Sequence, residues 1–505
     1  MFRKILIANR GEIAVRVIRA CRELGISPVA VYSDADQFSL HVRMADECYY
    51  LGPPPSGESY LVQDKLLEAA GKAGAEAIHP GYGFLAENAE FARRVTESGL
   101  VFIGPPPSAI ELMGDKTVAR SRMLQAQVPV VPGTEQAVPD EIAAEQVSAE
   151  LGFPVLFKAA AGGGGKGMRV VHEAAEIASA FRAAKSEAVS AFGDGRIYVE
   201  KYLEAPRHIE FQILADCHGH VVHFGERECS IQRRHQKVVE EAPSTCLDEA
   251  LRLRMGQAAV KAAQACGYQN AGTIEFMVDK DRKFYFLEMN TRLQVEHPVT
   301  EMATGVDLVK AQIRIAAGEP LRLDQEAIRF NGHAIECRIY AEDPFNNFLP
   351  STGTITYMMP PYGPGVRVES GFYAGSEVSV YYDPLISKLI TWGRDRQEAI
   401  ARMKRSLEEY QILGVETSIP FCLMVMNNER FISGSFDTHF VDTEFSVEQN
   451  SGAVDADGLQ AETAVLGAAL FEFQFNKKRQ PTITAESNGQ SSPWKIAGRR
   501  YNLRD

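Results

Sequence analysis

The 505-residue chain has room for about three domains, each with its own core. Its 45% hydrophobic and 24% charged residues exclude collagen-like, coiled-coil and wholly disordered chains, and a net charge of −13 argues against nucleic acid as a partner. No apolar run reaches the roughly 18 residues that span a bilayer, the charged start MFRKILIANRGE lacks a signal core, and eight scattered cysteines show neither a CxxC pair nor zinc spacing, so a soluble, cytoplasmic chain with reduced, buried thiols and no membrane contact is expected.

In chain order, Lys4–Ala8 reads as a strand, Arg10-Gly11 as a turn, Glu12–Leu24 as a helix and Pro28–Tyr32 as a second strand. That βαβ pattern implies a parallel sheet. Short strands recur at Ala77-Ile78 and Leu100–Gly104. A dinucleotide site is weakly supported, because only Gly11 stands at the first turn, where the fingerprint requires GxGxxG. From Asp115 to Leu203 a smaller unit is expected around the apolar runs Phe153–Phe157 and Met168–Val171. From Glu204 to Phe445 longer strands (Ile209–Leu214, Thr273–Val278, Phe284–Glu288, Ala334–Tyr340) mix with helices such as Leu251–Ala265 and Gln397–Tyr410, a larger α+β unit without internal repeats. Beyond Phe445 come a polar linker (Glu448–Gly458), one helix (Leu459–Phe473) and a basic end, Trp494–Arg500, which reads either as a docking appendage or as a disordered extension.

Four clusters carry chemistry. The run Gly162, Gly163, Gly164, Gly165, Lys166, Gly167 lies between two apolar strands, which favours a hairpin lid over phosphate rather than an inert linker. Glycines let backbone N–H groups approach phosphate oxygens, and Lys158 and Lys166 add charge at either end. It is not a P-loop, since Ala160 stands where that motif needs glycine and Gly167 follows the lysine. Second, Glu275 and Glu288 sit on successive strands joined by Asp279–Arg282, and a hairpin centred on Asp281-Arg282 sets them face to face. Opposed carboxylates are destabilising unless a cation joins them, and with the amide oxygen of Asn290 they suit Mg²⁺ or Mn²⁺; solvated edge carboxylates are the bland alternative.

Third, Arg292-Leu293-Gln294-Val295-Glu296-His297-Pro298 is biased toward extended geometry by its proline, which puts Arg292, Gln294 and Glu296 on one side. An Arg fork and an amide there would hold a small oxyanion while the carboxylate takes its proton, unless Arg292 and Glu296 merely form a surface salt bridge. Fourth, Gln232-Arg233-Arg234-His235-Gln236-Lys237 is the densest basic run and lacks the interleaved aromatics of a nucleic-acid surface, so it reads as an anion pocket or a solvated charge run. Glu336 and Arg338 alternate on a further strand.

Together these stretches resemble the biotin carboxylase family within the ATP-grasp superfamily: Ile5–Ala14, His79–Asn88, the glycine run, Gln232–Lys237, Glu288–Glu301 and Glu336–Pro344, with coverage from Met1 to about Phe445. The resemblance implies an α/β fold with a Rossmann-like N-terminal domain (1–114), linker helices and an ATP-grasp lid (115–203), an ATP-grasp core with the C-terminal biotin carboxylase domain (204–445), and an appendage (446–505). It implies that Glu296 deprotonates bicarbonate held by Lys237, Arg292, Gln294 and the Val295 backbone, that carboxyphosphate forms from ATP, and that Arg338 stabilises the biotin enolate. Lys116, Lys158, Gly163, Gly164, Gly165, Lys166, His208, Gln232 and His235 would contact ATP, with Glu200, Lys201 and Leu203 around adenine, and Glu275, Glu288 and Asn290 would hold Mg²⁺ or Mn²⁺. No Ala-Met-Lys-Met-like biotinylation motif occurs, so biotin is expected on a separate biotin carboxyl carrier protein, with a separate carboxyltransferase and a homodimer or larger complex. Acetyl-CoA, another acyl-CoA and pyruvate remain open as final acceptors. Competing readings are another ATP-grasp ligase and a non-catalytic nucleotide-binding scaffold of a carboxylase complex.

Overall fold

Apolar strands around amphipathic helices build the first layer of the protein, whose computed structural model describes residues 1–159, 167–234 and 236–445. β1 (Lys4–Ile7), β2 (Ser27–Ser33), β3 (Glu47–Gly52), β4 (Ala77–His79) and β5 (Val101–Phe102) form a parallel sheet in the order β3-β2-β1-β4-β5. Ile5, Leu6 and Ile7 are all fully buried, as strands covered on both faces require. Helix α1 (Gly11–Glu23) starts at a glycine with φ +65° and lays Ile13, Val17 and Ile18 against the sheet and against Leu214 and Phe224 of the larger unit.

β6 (Val155–Ala159), β7 (Met168–Val171) and β8 (Ile197–Lys201) form a small antiparallel sheet in the order β7-β6-β8. β6 and β7 are the two strands expected to flank the glycine run, whose residues 160–166 lie outside the described residues. Phe157, Val171, Phe181 and Val199 make a core of their own for this sheet. The Lys116–Gln125 helix, expected in the same segment, instead buries Ala119 and Met123 in the core of the larger sheet.

That larger sheet has eight antiparallel strands: β9 (Arg207–Ala215), β10 (Val221–Arg233), β11 (Gln236–Ala242), β12 (Asn270–Val278), β13 (Phe284–Asn290), β14 (His333–Tyr340), Val366–Ser370 and Leu385–Gly393. Their spatial order is β13-β12-β9-β10-β11-β14, then Leu385–Gly393, then Val366–Ser370. Period-two alternation divides the faces: Ile209, Phe211, Ile213, Ile274 and Phe276 pack with the Glu249–Ala265 helix, so His208, Glu210, Gln212 and Glu275 point the other way.

The β12–β13 hairpin pairs Val278 with Phe284, which centres the turn on Asp281 alone. Continued without interruption, that register would put Leu287 opposite Glu275. A bulge between Glu275 and Phe276 on the pairing ladder adds one residue on β13, and Glu275 meets Glu288 and Thr273 meets Asn290. The expected pairing is present, although the turn supplies only half of it.

Two expectations are corrected here. The segment before Pro298 is not extended: His297–Thr304 is a helix with Pro298 in its first turn, and Glu296 is its N-cap residue with φ −80° and ψ 9°. Proline at the start of a helix loses no hydrogen bond, so the same residue that disfavours a helix before it begins one here. The thiols are all free, but only Cys21, Cys229, Cys266, Cys337 and Cys422 are buried; Cys48 and Cys217 are exposed. Among the described residues no helix is long and apolar enough to cross a membrane. The described residues up to Phe445 belong to one compact unit, and the linker, helix and basic end expected in 446–505 lie outside the described residues.

Candidate active site

The polar face of the eight-stranded sheet gathers the charged residues. Lys237, near the start of β11, places its ammonium 2.6 Å from Glu210, 2.9 Å from Glu275 and 2.7 Å from Glu296. Burial disfavours its charge, but these three carboxylates outweigh burial and drive its pKa well above the usual lysine value. Glu275 is bonded at both oxygens: one accepts from Lys237, from Asn290 at 2.8 Å and from Gln294 at 2.8 Å, while the other accepts from His208 Nε2 alone, at 2.7 Å. Burial works against its ionisation, and Lys237 and His208 hold its pKa well below the carboxylate range nevertheless. The Gln232 amide donates to His208 Nδ1 at 2.7 Å, which leaves Nε2 to carry the proton given to Glu275.

Glu296 is 2% exposed and is gripped from both sides, by Lys237 and by Arg338 Nη2 at 3.0 Å. Burial pushes its pKa up, but Lys237, Arg338 and Arg227 together pull it well below the ordinary value, so it is ionised. Arg338 is tied in turn to Glu240 at 2.6 Å, whose own pKa burial raises to about 7 against the pull of Arg338. Gln294 is positioned by Arg227, which is fully buried and donates to it at 2.6 Å, to Gln212 at 2.8 Å, to Thr300 at 3.0 Å and to Glu210 at 2.5 Å. Arg292 does not pair with Glu296 as the bland reading required. Its guanidinium bonds Glu87 at 2.8 Å and the Asn290 oxygen at 3.0 Å.

The basic run divides. Gln232 and Lys237 face this cluster, whereas Arg233 bonds Glu342 at 2.8 Å and lies over the Phe348 ring, and Arg234 bonds Asn347. Of the run expected to form an anion pocket, only the ends, Gln232 and Lys237, stand at the cluster; His235 lies outside the described residues. Glu336 shares the face of Arg338 and is buried, and burial, with Glu240 nearby, raises its pKa well above the usual value.

Beside the cluster opens a cleft of about 360 Å³ lined by Lys116, Lys158, Glu200, Met289, Glu288 and Asn290 among others. Lys158 and Glu200 face each other at 3.5 Å. Lys201 does not line this cleft: its ammonium is bound by the Gly152 and Phe153 carbonyls at 2.8 and 3.0 Å, and Leu203 follows it half-buried. Gly163, Gly164, Gly165 and Lys166 lie outside the described residues. A wider surface groove of about 590 Å³, around Arg207, Cys246, Arg282 and Phe436, lies apart from these groups. Its arginines are spent on Glu228 and Asp248.

Among the described residues two sets of side chains could ligate a metal by proximity, His208, Glu210 and Glu275, and Glu210, Cys229 and Glu296, each with ligand atoms within 4.8 Å of one another. The Lys237 ammonium already bonds both carboxylates of either set, whereas of the opposed pair Glu275 and Glu288 it bonds Glu275 alone. The pair Glu275 and Glu288 fits a divalent ion better. They are opposed across two strands, and burial together with the charge of Glu275 raises the Glu288 pKa, a repulsion that a cation bound between hard oxygen donors relieves.

Sequence reading missed Glu87, Glu210, Arg227, Glu240 and Lys388. For three of them a signal existed: Glu210 alternates with His208 and Gln212, and Arg227 and Glu240 are charges inside long apolar-flanked strands, where they must be paired to be buried.

Residues 1–110 match the family described as biotin carboxylase, N-terminal domain, residues 115–324 the carbamoyl-phosphate synthase L chain ATP-binding domain, and residues 336–443 the biotin carboxylase C-terminal domain. One of the pyruvate carboxylase subunits of Methanothermobacter thermautotrophicus is 59% identical over 442 residues, 88% of this chain and 90% of that one. Biotin carboxylase 1 of Bacillus subtilis is 54% identical, with 88% of this chain and 99% of that one covered. Among solved structures, the biotin carboxylase domain dimer of Hydrogenobacter thermophilus 2-oxoglutarate carboxylase, in complex with MgADP, ADP and bicarbonate, superposes with a TM-score of 0.83 at 52% identity, covering 88% of this chain and 98% of that one.

Proposed function

The chain belongs to the biotin carboxylase family, and from that membership we propose that it carboxylates biotin with bicarbonate at the expense of ATP, through the residues gathered on the polar face of its eight-stranded sheet. One observation carries the assignment of roles: Glu296 is a buried, ionised carboxylate held between Lys237 and Arg338, beside the opposed pair Glu275 and Glu288. Lys237, Arg292, Gln294 and the Val295 N–H hold bicarbonate. As Lys237 and Arg338 turn toward the anion, Glu296 loses part of their pull and becomes basic enough to take the bicarbonate proton. The freed oxygen attacks the γ-phosphorus of ATP, the bond to the bridging oxygen of ADP breaks, and carboxyphosphate forms. Its C–O bond then breaks to give CO₂ and phosphate, phosphate takes the ureido proton of biotin, and the nitrogen attacks CO₂ while Arg338 stabilises the enolate oxygen.

Lys116, Lys158, the glycine run with Gly163, Gly164, Gly165 and Lys166, His208, Gln232 and His235 are assigned to the phosphates, and Glu200, Lys201 and Leu203 to the adenine end of the cleft. For Lys201 the backbone is the group available, since its ammonium is bound to carbonyls. Glu275, Glu288 and Asn290 would hold Mg²⁺, which when bound neutralises the charge on the phosphate oxygens. The domain limits 1–114, 115–203, 204–445 and 446–505 follow the same reading, with the qualification that the Lys116–Gln125 helix packs into the larger core. Biotin arrives on a separate carrier protein and is passed to a separate carboxyltransferase, the arrangement that fits a relative named as one subunit of a pyruvate carboxylase; a homodimer fits the relative solved as one.

Phosphate release from ATP with Mg²⁺, measured with and without bicarbonate and free biotin, tests the proposal, with Glu296→Ala as control. Release that needs both substrates and collapses in the variant is the expected result. Release indifferent to biotin but stimulated by an amine would replace the reading with another ATP-grasp ligase, and nucleotide binding without release would point to a scaffold.

A further inference from the structure

Beneath the bicarbonate loop lies a second set of buried charges to which the reaction assigns no role. Lys388 is fully buried on the Leu385–Gly393 strand, directly opposite Arg338 on β14 and opposite Glu369 on its other neighbour. Like charges in such a cross-strand pair repel unless carboxylates intervene. Glu240 takes Arg338, while Lys388 pairs with Glu369 at 2.9 Å and with Glu12 at 3.2 Å. Glu12 comes from the first turn of α1, in the parallel-sheet layer, and is itself buried. The third contact of the Lys388 ammonium is with no side chain at all: it donates to the Val295 carbonyl at 2.9 Å.

That carbonyl lies between Gln294 and Glu296. The carbonyl before it, of Gln294, accepts from His297 Nδ1 at 2.7 Å, and burial keeps His297 neutral, so Nδ1 carries the proton. Two consecutive peptide planes are thereby pinned by buried donors. In a trans peptide the N–H opposes the C=O. Fixing the Gln294 oxygen therefore aims the Val295 N–H away from His297, and fixing the Val295 oxygen sets the plane from which the Glu296 side chain departs. Among the described residues the Val295 N–H makes no hydrogen bond, which leaves it available to an anion.

We propose that Lys388 is a positioning residue for the bicarbonate loop, and that Glu12 ties the geometry of that loop to the packing of the N-terminal parallel-sheet layer. Lys388 touches neither substrate. It acts by holding the peptide that presents the Val295 N–H and the Glu296 carboxylate, so its effect falls on bicarbonate rather than on nucleotide. This inference rests on the assignment of bicarbonate to the loop.

The test is steady-state phosphate release by the full chain, with bicarbonate and ATP varied separately, for Lys388→Met and Glu12→Gln. A displacement of about 1 Å in a reacting group costs on the order of a hundredfold, so Lys388→Met is expected to lower kcat/KM for bicarbonate by about thirty- to a hundredfold while the ATP KM stays within about threefold. Glu12→Gln keeps the shape of the side chain and is expected to raise the bicarbonate KM about three- to tenfold, again without moving ATP. General loosening of the fold would move both KM values in parallel. A parallel change, or a bicarbonate kcat/KM within about twofold of the parent, overturns the proposal. If Lys388→Met does not fold, Glu12→Gln decides by the same criterion. An inactive parent chain would overturn the functional reading as well, and is distinguished from an active parent whose variants do not move.

Discussion

On the eight-stranded sheet, Lys237 meets three carboxylates at 2.6, 2.9 and 2.7 Å and keeps 12% of its side chain in contact with solvent. Across the cleft, on the three-stranded sheet, Lys158 meets one carboxylate at 3.5 Å and keeps 28%. Both lysines are placed by strands and both are proposed to serve an anionic ligand, yet the first is bound by three protein carboxylates and the second by one at longer range. The difference follows from burial. A charge removed from water must be paired or it costs several kcal/mol, so the floor of the site is a closed network in which Glu210, Glu275, Glu296 and Arg338 each constrain the next. A partly solvated lysine needs no partner and can give its charge to phosphate. The floor fixes geometry, and the opposite wall contributes attraction.

Breaking the floor at its centre has the largest expected effect. Glu296→Gln keeps volume and hydrogen-bonding capacity but removes the proposed base, and a positioned base contributes about 10²–10⁴-fold, so bicarbonate-dependent kcat is expected to fall by about 10³-fold while nucleotide binding, read by fluorescent-ATP displacement, persists. Next comes the buried pair at the far side of the same sheet. Burial opposes ionisation of Glu241, but the hydrogen bond from His333 and the charge of Arg396 lower its pKa from 4.5 to about 2. A depressed carboxylate contributes stability that is present above pH 4.5 and is lost as pH falls toward 2. Glu241→Gln is expected to cost about 3 kcal/mol at neutral pH and to flatten the acid limb of a denaturation profile over that window.

The opposite wall responds more mildly. Lys158→Met is expected to raise the ATP KM about tenfold, or about 1.4 kcal/mol, with the unfolding midpoint unchanged; a large loss of stability would contradict the contrast drawn between the two walls. The smallest effect belongs to an ion pair outside both regions. Lys72 and Glu68, a turn apart on the Gln63–Ala73 helix and both exposed, can be replaced by alanine without a measurable change in activity, since screened surface pairs contribute little.

Much of this was legible in the sequence. The strand–helix–strand start, the apolar runs on either side of the glycines, and the existence of the β12–β13 hairpin are consequences of local alternation and spacing, which a sequence displays directly. The register of that hairpin shows the limit. Asp281 centres the turn, and only the bulge on β13 brings the two glutamates together, because a bulge is set by how both strands pack on their neighbours. Pro298 shows another: its preference is local, but whether it ends a strand or begins a helix depends on what the following residues bury, and Val299 and Ala303 are buried.

By itself, the sequence determined the fold class, the family and the residue types of the site, since these rest on periodicity and on contiguous motifs. Tertiary structure alone decided which charges share a proton field. Glu87 reaches Arg292 across 205 positions, Arg338 reaches Glu296 across 42, and Glu12 meets Lys388 from helix α1 of the parallel-sheet layer. The reason is physical. A buried charge is stable only beside its partner, and the partner is chosen by three-dimensional proximity and the low dielectric between them, neither of which is written in the spacing along the chain.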